Sequence, residues 1–264
     1  MSAALSVRRL SYRYPDGTQA LREISFTLEE GECVGLIGPN GAGKSTLLLH
    51  LDGVLPERLS APPAVFVGAR ALTRESLDAI RREVGLLFQD PDDQLFCGTV
   101  FEDVAFGPRH FGLAERDLAA RVASALAAVG LAGFEARSPQ HLSLGEKRRV
   151  CLAGVLACEP RVLALDEPTS DLDPRGRREL EALLRTLPAT KIISTHDLEL
   201  VVRLCSRVIV LDRGEIVAEG PTLELLANEP LMLAHGLETP HILQHDHPHR
   251  PNSRPARPDE PHAS

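Results

Sequence analysis

The sequence predicts an α/β fold in which a parallel sheet is covered by helices on both faces, interrupted by an inserted helical lobe and preceded by a small antiparallel β segment. Three observations predict it. Short continuously apolar runs at 33–37 and 84–88 have the pattern of strands buried on both faces, and further strands read at 161–165, 191–194 and 207–211. Helix-spaced stretches at 44–51, 175–187 and 198–205 alternate with those runs. Residues from about 94 to 155 read as mostly helical, including an Ala-rich segment at 117–129, so a separate lobe stands between two strands.

The elements follow in order. Residues 5–14 and 24–28 alternate apolar with polar side chains, as half-buried strands do, and the second closes on the turn Glu29-Glu30-Gly31. The run 33–37 ends in a Gly-rich turn and a helix begins at Lys44. The run 84–88 closes on Gln89, at the entrance to the helical block. From His241 onward Pro, His, Arg and Asp dominate. A segment so poor in apolar residues cannot offset its ordering entropy, and it is expected to be a disordered tail.

Composition narrows the function. The chain has 264 residues, 43 % apolar and 25 % charged, the balance of an ordinary globular protein. Its net charge of −8 argues against a nucleic-acid partner and against holding an anionic membrane surface by charge. No stretch approaches the roughly 20 apolar residues of a spanning helix. Arg8, Arg9, Arg13 and Asp16 break any N-terminal leader. Cys33, Cys97, Cys151, Cys158 and Cys205 are scattered and odd in number, as expected of reduced thiols.

Three stretches carry chemistry. Gly38-Pro39-Asn40-Gly41-Ala42-Gly43-Lys44-Ser45-Thr46 fits G-x(4)-G-K-[ST] between a strand and a helix. Its glycines let successive N–H groups face phosphate oxygens, the helix start adds partial positive charge, and Lys44 adds a full one. The Ser45 hydroxyl is placed to ligate Mg²⁺. Asp166 and Glu167 end an apolar strand, where acids need a cation or a reaction to justify them. Asp166 is expected to hold Mg²⁺ through water, and Glu167 to orient and deprotonate an attacking water. The bland reading, a strand-end Asp capping the next helix, fits Asp171 better. His196, at the C-terminal end of strand 191–194, lies where parallel sheets bind ligands and is a candidate to sense a γ-phosphate. The Gln89 amide is a candidate for reaching Mg²⁺ or the attacking water.

Leu142-Ser143-Leu144-Gly145-Glu146-Lys147 resembles the LSGGQ signature of the ATP-binding cassette superfamily, and with the preceding motifs the resemblance covers the chain to about residue 237. Ser143 and the N–H groups around Gly145 form an anion-binding helix start, and Ser143 with Glu146 also has capping-box spacing. Leu144 and Glu146 depart from the usual Gly and Gln. The resemblance implies a P-loop, RecA-like core with an inserted helical subdomain at about 94–157 and a small N-terminal antiparallel β subdomain. Residues 1–237 would be the cassette and 238–264 a His- and Pro-rich tail. It further implies ATP and Mg²⁺ as ligands, Tyr14 stacking on adenine, and Asp171 and Asp173 in a loop crossing a dimer interface. It implies a second ATPase subunit, identical or not, whose Ser143–Glu146 stretch faces the phosphates in trans. Integral-membrane subunits are implied as partners, at the cytoplasmic face of the cell membrane, with no nucleic acid.

Gln89-Asp-Pro-Asp-Asp-Gln94-Leu-Phe96, followed by Thr99-Val-Phe-Glu102-Asp103-Val-Ala-Phe-Gly107-Pro108, resembles energy-coupling-factor ATPases, especially those of cobalt and nickel uptake. A vitamin or other micronutrient importer, or a non-transport switch protein, are the competing readings. In the tail His241, His245, His247 and His249 are candidate ligands for Ni²⁺, Co²⁺ or Zn²⁺. The same segment also reads as a solubilising tail.

Overall fold

A computed structural model describes residues 2–57, 59 and 62–244. Two sheets form its frame. The first is antiparallel, built from β1 (Ala3–Arg13), β2 (Gln19–Glu29), β4 (Val65–Val67) and β5 (Arg70–Ala71) in the order β2-β1-β4-β5. The second has six strands: β3 (Cys33–Ile37), β6 (Val84–Leu87), β7 (Val162–Asp166), β8 (Thr190–Ser194), β9 (Arg207–Asp212) and β10 (Glu215–Pro221), in the order β10-β9-β3-β8-β7-β6. All its pairings are parallel except β10 on β9, an edge strand that the sequence pattern did not announce.

Every residue of β3, β6, β7 and β8 is buried, which is why these strands are continuous apolar runs. Their side chains alternate between two cores. Val34, Leu36, Val162, Ala164, Ile192, Ile209 and Leu211 face one core, shared with the antiparallel sheet, α1 (Lys44–Leu51) and α2 (Leu77–Glu83). Ile37, Leu163, Leu165, Ile193, Val208 and Val210 face the other. Into that second core pack α3 (Val100–His110), α4 (Glu115–Ala128) and α5 (Leu144–Ala157), with α6 (Pro174–Thr186) and α7 (Leu198–Leu204). One sheet of period-two side chains thus joins two otherwise separate cores.

The helices of the inserted lobe start where side chains satisfy free N–H groups. Thr99 caps α3 and Ser143 caps α5, each in a reciprocal capping box with the glutamate three residues on. Asp173, not Asp171, caps α6 by accepting from the Gly176 N–H at 2.7 Å, with Pro174 at the first helical position. Asp171 has a left-handed backbone (φ +61°) that cannot open a helix, and its carboxylate turns to Arg148 instead.

The C-terminal region packs back onto the core through α8 (Thr222–Leu226) and α9 (Glu229–Ala234). It continues into a short helix, α10 (His241–Gln244), where composition alone suggested disorder. His245, His247 and His249 lie outside the described residues.

Candidate functional site

Parallel register brings the functional stretches together. Leu36 pairs Ser194, Asp166 pairs Ser194 and Leu87 pairs Leu165, so β3, β8, β7 and β6 end at one edge. The turns that leave this edge carry Gly38, Thr195, His196, Glu167 and Gln89, residues up to 158 positions apart in sequence (Gly38 to His196).

The loop after β3 fits only with glycine at its key positions. A Cβ on Gly38 would lie 2.0 Å from the Leu211 carbonyl oxygen. Gly43 has φ +105° and a Cβ there would lie 2.6 Å from the Ala20 carbonyl oxygen. The Lys44 ammonium is folded into this loop and donates to the Gly38 and Pro39 carbonyls at 2.7 and 3.1 Å. Burial holds the Lys44 pKa below its ordinary value, against the opposing pull of Glu167 and Asp166.

A cavity of about 360 Å³ lies over the loop, lined by Tyr14, residues 40–46, Gln89, Asp166, Glu167 and His196, with 18–20 at its side. Gly38 and Pro39 stand behind it as the turn that shapes the cradle. Tyr14 reaches it with its hydroxyl 2.9 Å from Thr46 Oγ1 and its ring edge-on to Tyr12.

Glu167 is held on every side. Its backbone is left-handed (φ +47°), its N–H donates to Ser194 O at 2.8 Å, and its carboxylate accepts from Thr195 Oγ1 and the His196 N–H, both at 3.1 Å. The His196 ring nitrogen Nε2 stands 3.5 Å from the same carboxylate. Burial pushes the Glu167 pKa up, while His196 and Thr195 pull it back. The result is a carboxylate more basic than an ordinary one, beside a phosphate-sized cradle.

The donor set also fits a hard cation. Ser45, Gln89 and Asp166 present hydroxyl, amide and carboxylate oxygens around one cavity, the pattern of a Mg²⁺ that shares its shell with phosphate oxygens and water. A neighbouring cavity of about 650 Å³ shares Ser45, Gln89 and Asp166 and adds Leu144, Arg148, Ser170 and Asp171. Ser143, Gly145 and Glu146 line neither cavity. Glu146 caps its own helix, accepting from the Ser143 N–H and hydroxyl at 2.8 Å each, which holds its pKa down.

Two residues of this region gave no sequence signal. Thr195 was visible only as the neighbour of His196. Arg148 was hidden on a helix beside Lys147 and Arg149, yet it is buried and bridges the loop after β6 to the loop after β7. A buried cation has no periodic signature, because its partners come from other elements.

The family model described as "ABC transporter" matches residues 21–170. The chain is 53 % identical over 242 residues to an ABC transporter ATP-binding protein of Gloeobacter violaceus, covering 91 % of this chain and 98 % of the relative. It is 48 % identical to the energy-coupling factor transporter ATP-binding protein EcfA of Methanothermobacter thermautotrophicus, covering 89 % and 76 %. Among solved structures it resembles cbiO1 of Clostridium perfringens, part of the ABC transporter complex cbiONQ, with TM-score 0.73, 36 % identity and coverage of 92 % and 98 %. It also resembles the dimeric, post-hydrolysis ATP-binding cassette MJ0796 bound to ADP and Pi, with TM-score 0.74, 26 % identity and coverage of 83 % and 98 %.

Proposed function

The chain belongs to the ABC transporter family as an ATP-hydrolysing cassette, and from that premise we propose that it energises an energy-coupling-factor importer of cobalt or nickel ions. The observation that carries the hydrolytic part is the convergence of Lys44, Asp166, Glu167 and His196 on one loop cavity. Lys44 and the N–H groups of 40–46 hold the β- and γ-phosphates. Tyr14 takes the adenine, a modest and sequence-tolerant contact. Ser45, Asp166 and Gln89 would hold Mg²⁺, which when bound supplies charge neutralisation between the phosphates. Glu167 accepts the proton of the attacking water, and His196, beside that carboxylate, contacts the γ-phosphate.

Two copies complete the site. In this reading the Ser143 helix start of one copy faces the phosphates held by the other, and Asp171 and Asp173 lie in the loop between them. Exposed Leu144 suits that face better than an interior position. Among the described residues no helix is long and apolar enough to cross a membrane. In this reading separate integral-membrane subunits hold the chain at the cytoplasmic face. Phe96 and Phe106, exposed and packed edge to face at 4.9 Å beside the Gln89 segment, support a docking role for the lobe.

The cargo rests on the Gln89–Pro108 stretch, on the likeness to cbiO1 and on the histidines at 241, 245, 247 and 249, which we assign to metal gathering. Co-purified membrane subunits reconstituted with this chain in vesicles should take up labelled cobalt or nickel when ATP is supplied. Uptake of a vitamin without either metal would select the micronutrient alternative. Ni²⁺ titrated into the full chain and into one ending before His241 tests the tail, and equal binding removes it.

A further inference from the structure

Helix α5 is tied to the segment after β6 by three side chains. Lys147 pairs with Asp92 at 2.6 Å, Arg148 donates to the Gln89 carbonyl at 2.9 Å, and the Cys151 thiol faces the Pro91 carbonyl at 3.7 Å. Arg148 alone of the three reaches onward. Its Nη1 donates to the Glu167 carbonyl at 2.7 Å and its Nη2 to Asp171 Oδ2 at 3.2 Å. The residue is 3 % exposed.

A cation this deep is costly unless its geometry is used. An apolar side chain would fill the space beside the helix at lower cost. What the guanidinium adds is a planar fork with several donors at fixed angles, able to hold three acceptors on two loops at once. The loop that most needs holding is the one at Glu167. Its left-handed backbone is strained and persists only where surroundings over-determine it. Ser170 also donates to the Glu167 carbonyl, through Oγ at 2.9 Å and through its N–H at 3.2 Å.

We infer that Arg148 is a positioning residue that fixes the backbone of Glu167 relative to helix α5 and the Gln89 segment. Because α5 also packs against α3 and α4, the seating of the whole lobe sets the aim of the carboxylate. The inference rests on Glu167 being the base, as proposed above. It makes Arg148 a mechanical link between the moving lobe and the chemistry, acting through main-chain carbonyls rather than through contact with substrate.

The test compares wild type, Arg148→Met, Arg148→Lys and, in parallel, Glu167→Gln, measuring steady-state ATPase kinetics, ATP affinity by calorimetry and thermal melting. Arg148→Met should lower kcat by about 100-fold, the cost of a small misplacement, with KM for ATP within about threefold. Arg148→Lys should recover part of that loss and stay roughly tenfold below wild type, because one ammonium cannot reproduce the fork. Wild-type kcat in Arg148→Lys overturns the inference, and so does a loss of ATP affinity equal to the loss of kcat, which would mark a merely structural role. Should Arg148→Met not fold, Arg148→Lys decides alone. Full hydrolysis in Glu167→Gln would instead overturn the underlying assignment, a failure distinct from that of Arg148.

Discussion

With Glu167 as the proposed base, the rate of hydrolysis should depend on pH in a definite direction. A general base works only when deprotonated, and burial raises this carboxyl above its ordinary 4.5. The acid limb of the kcat/KM profile, which reports the free enzyme, should therefore lie above that value. Thr195 Oγ1 donates to the carboxylate and favours its charged form. Thr195→Val removes that donor, so the limb should move further toward neutral pH and kcat/KM at pH 6 should fall more than kcat/KM at pH 8. An unshifted profile would deny Thr195 its part. At this scale the sequence disclosed the phosphate loop, the acid pair and His196, because each sits at a fixed offset from a strand end. Arg148 was not legible, since its role depends on which carbonyls lie opposite after folding.

Asp52, at the C-terminal end of helix α1, links an element to stability. Burial raises its pKa from 3.8 to about 6, with the Val54 N–H and Arg81 pulling it down. Arg81 spends its two donors on the Asp52 and Gly53 carbonyls rather than on the carboxylate. A folded-state pKa above the unfolded one means that the folded chain binds the extra proton. Stability from this group is intact below about pH 4 and is lost as pH rises through about 6. Asp52→Asn keeps an acceptor for Val54 and removes the ionisation, so at pH 8 it should be more stable by on the order of 2 kcal/mol. Denaturant melts at pH 5 and 8 check this, and an equal pH dependence in both proteins would contradict it. Among elements, β3 and β7 were legible because two-sided burial leaves a largely apolar run, and β8 through its Ile192-Ile193 pair. β4 and β5 were not, being three and two residues long, and α10 follows a composition that suggests no helix.

At the scale of the molecule, the six-stranded sheet carries the phosphate loop over one core and the lobe over the other. Residues such as Leu36 and Ile37, adjacent in sequence, belong to opposite cores. Any tilt of the lobe is therefore read at the sheet edge where Gln89 and Glu167 emerge. This arrangement suits a clamp in which nucleotide joins two copies and hydrolysis releases them. The motif order foretold the cassette. The likeness to solved cassettes supports the two-copy clamp, which one chain cannot display.

The most direct measurement is ATP turnover and assembly state of Glu167→Gln with Mg²⁺ and ATP. Binding should persist, turnover should fall by at least about 100-fold, and light scattering should find a stable pair of chains. Ordinary turnover in that variant, or a chain that stays single while saturated with ATP, would contradict the account.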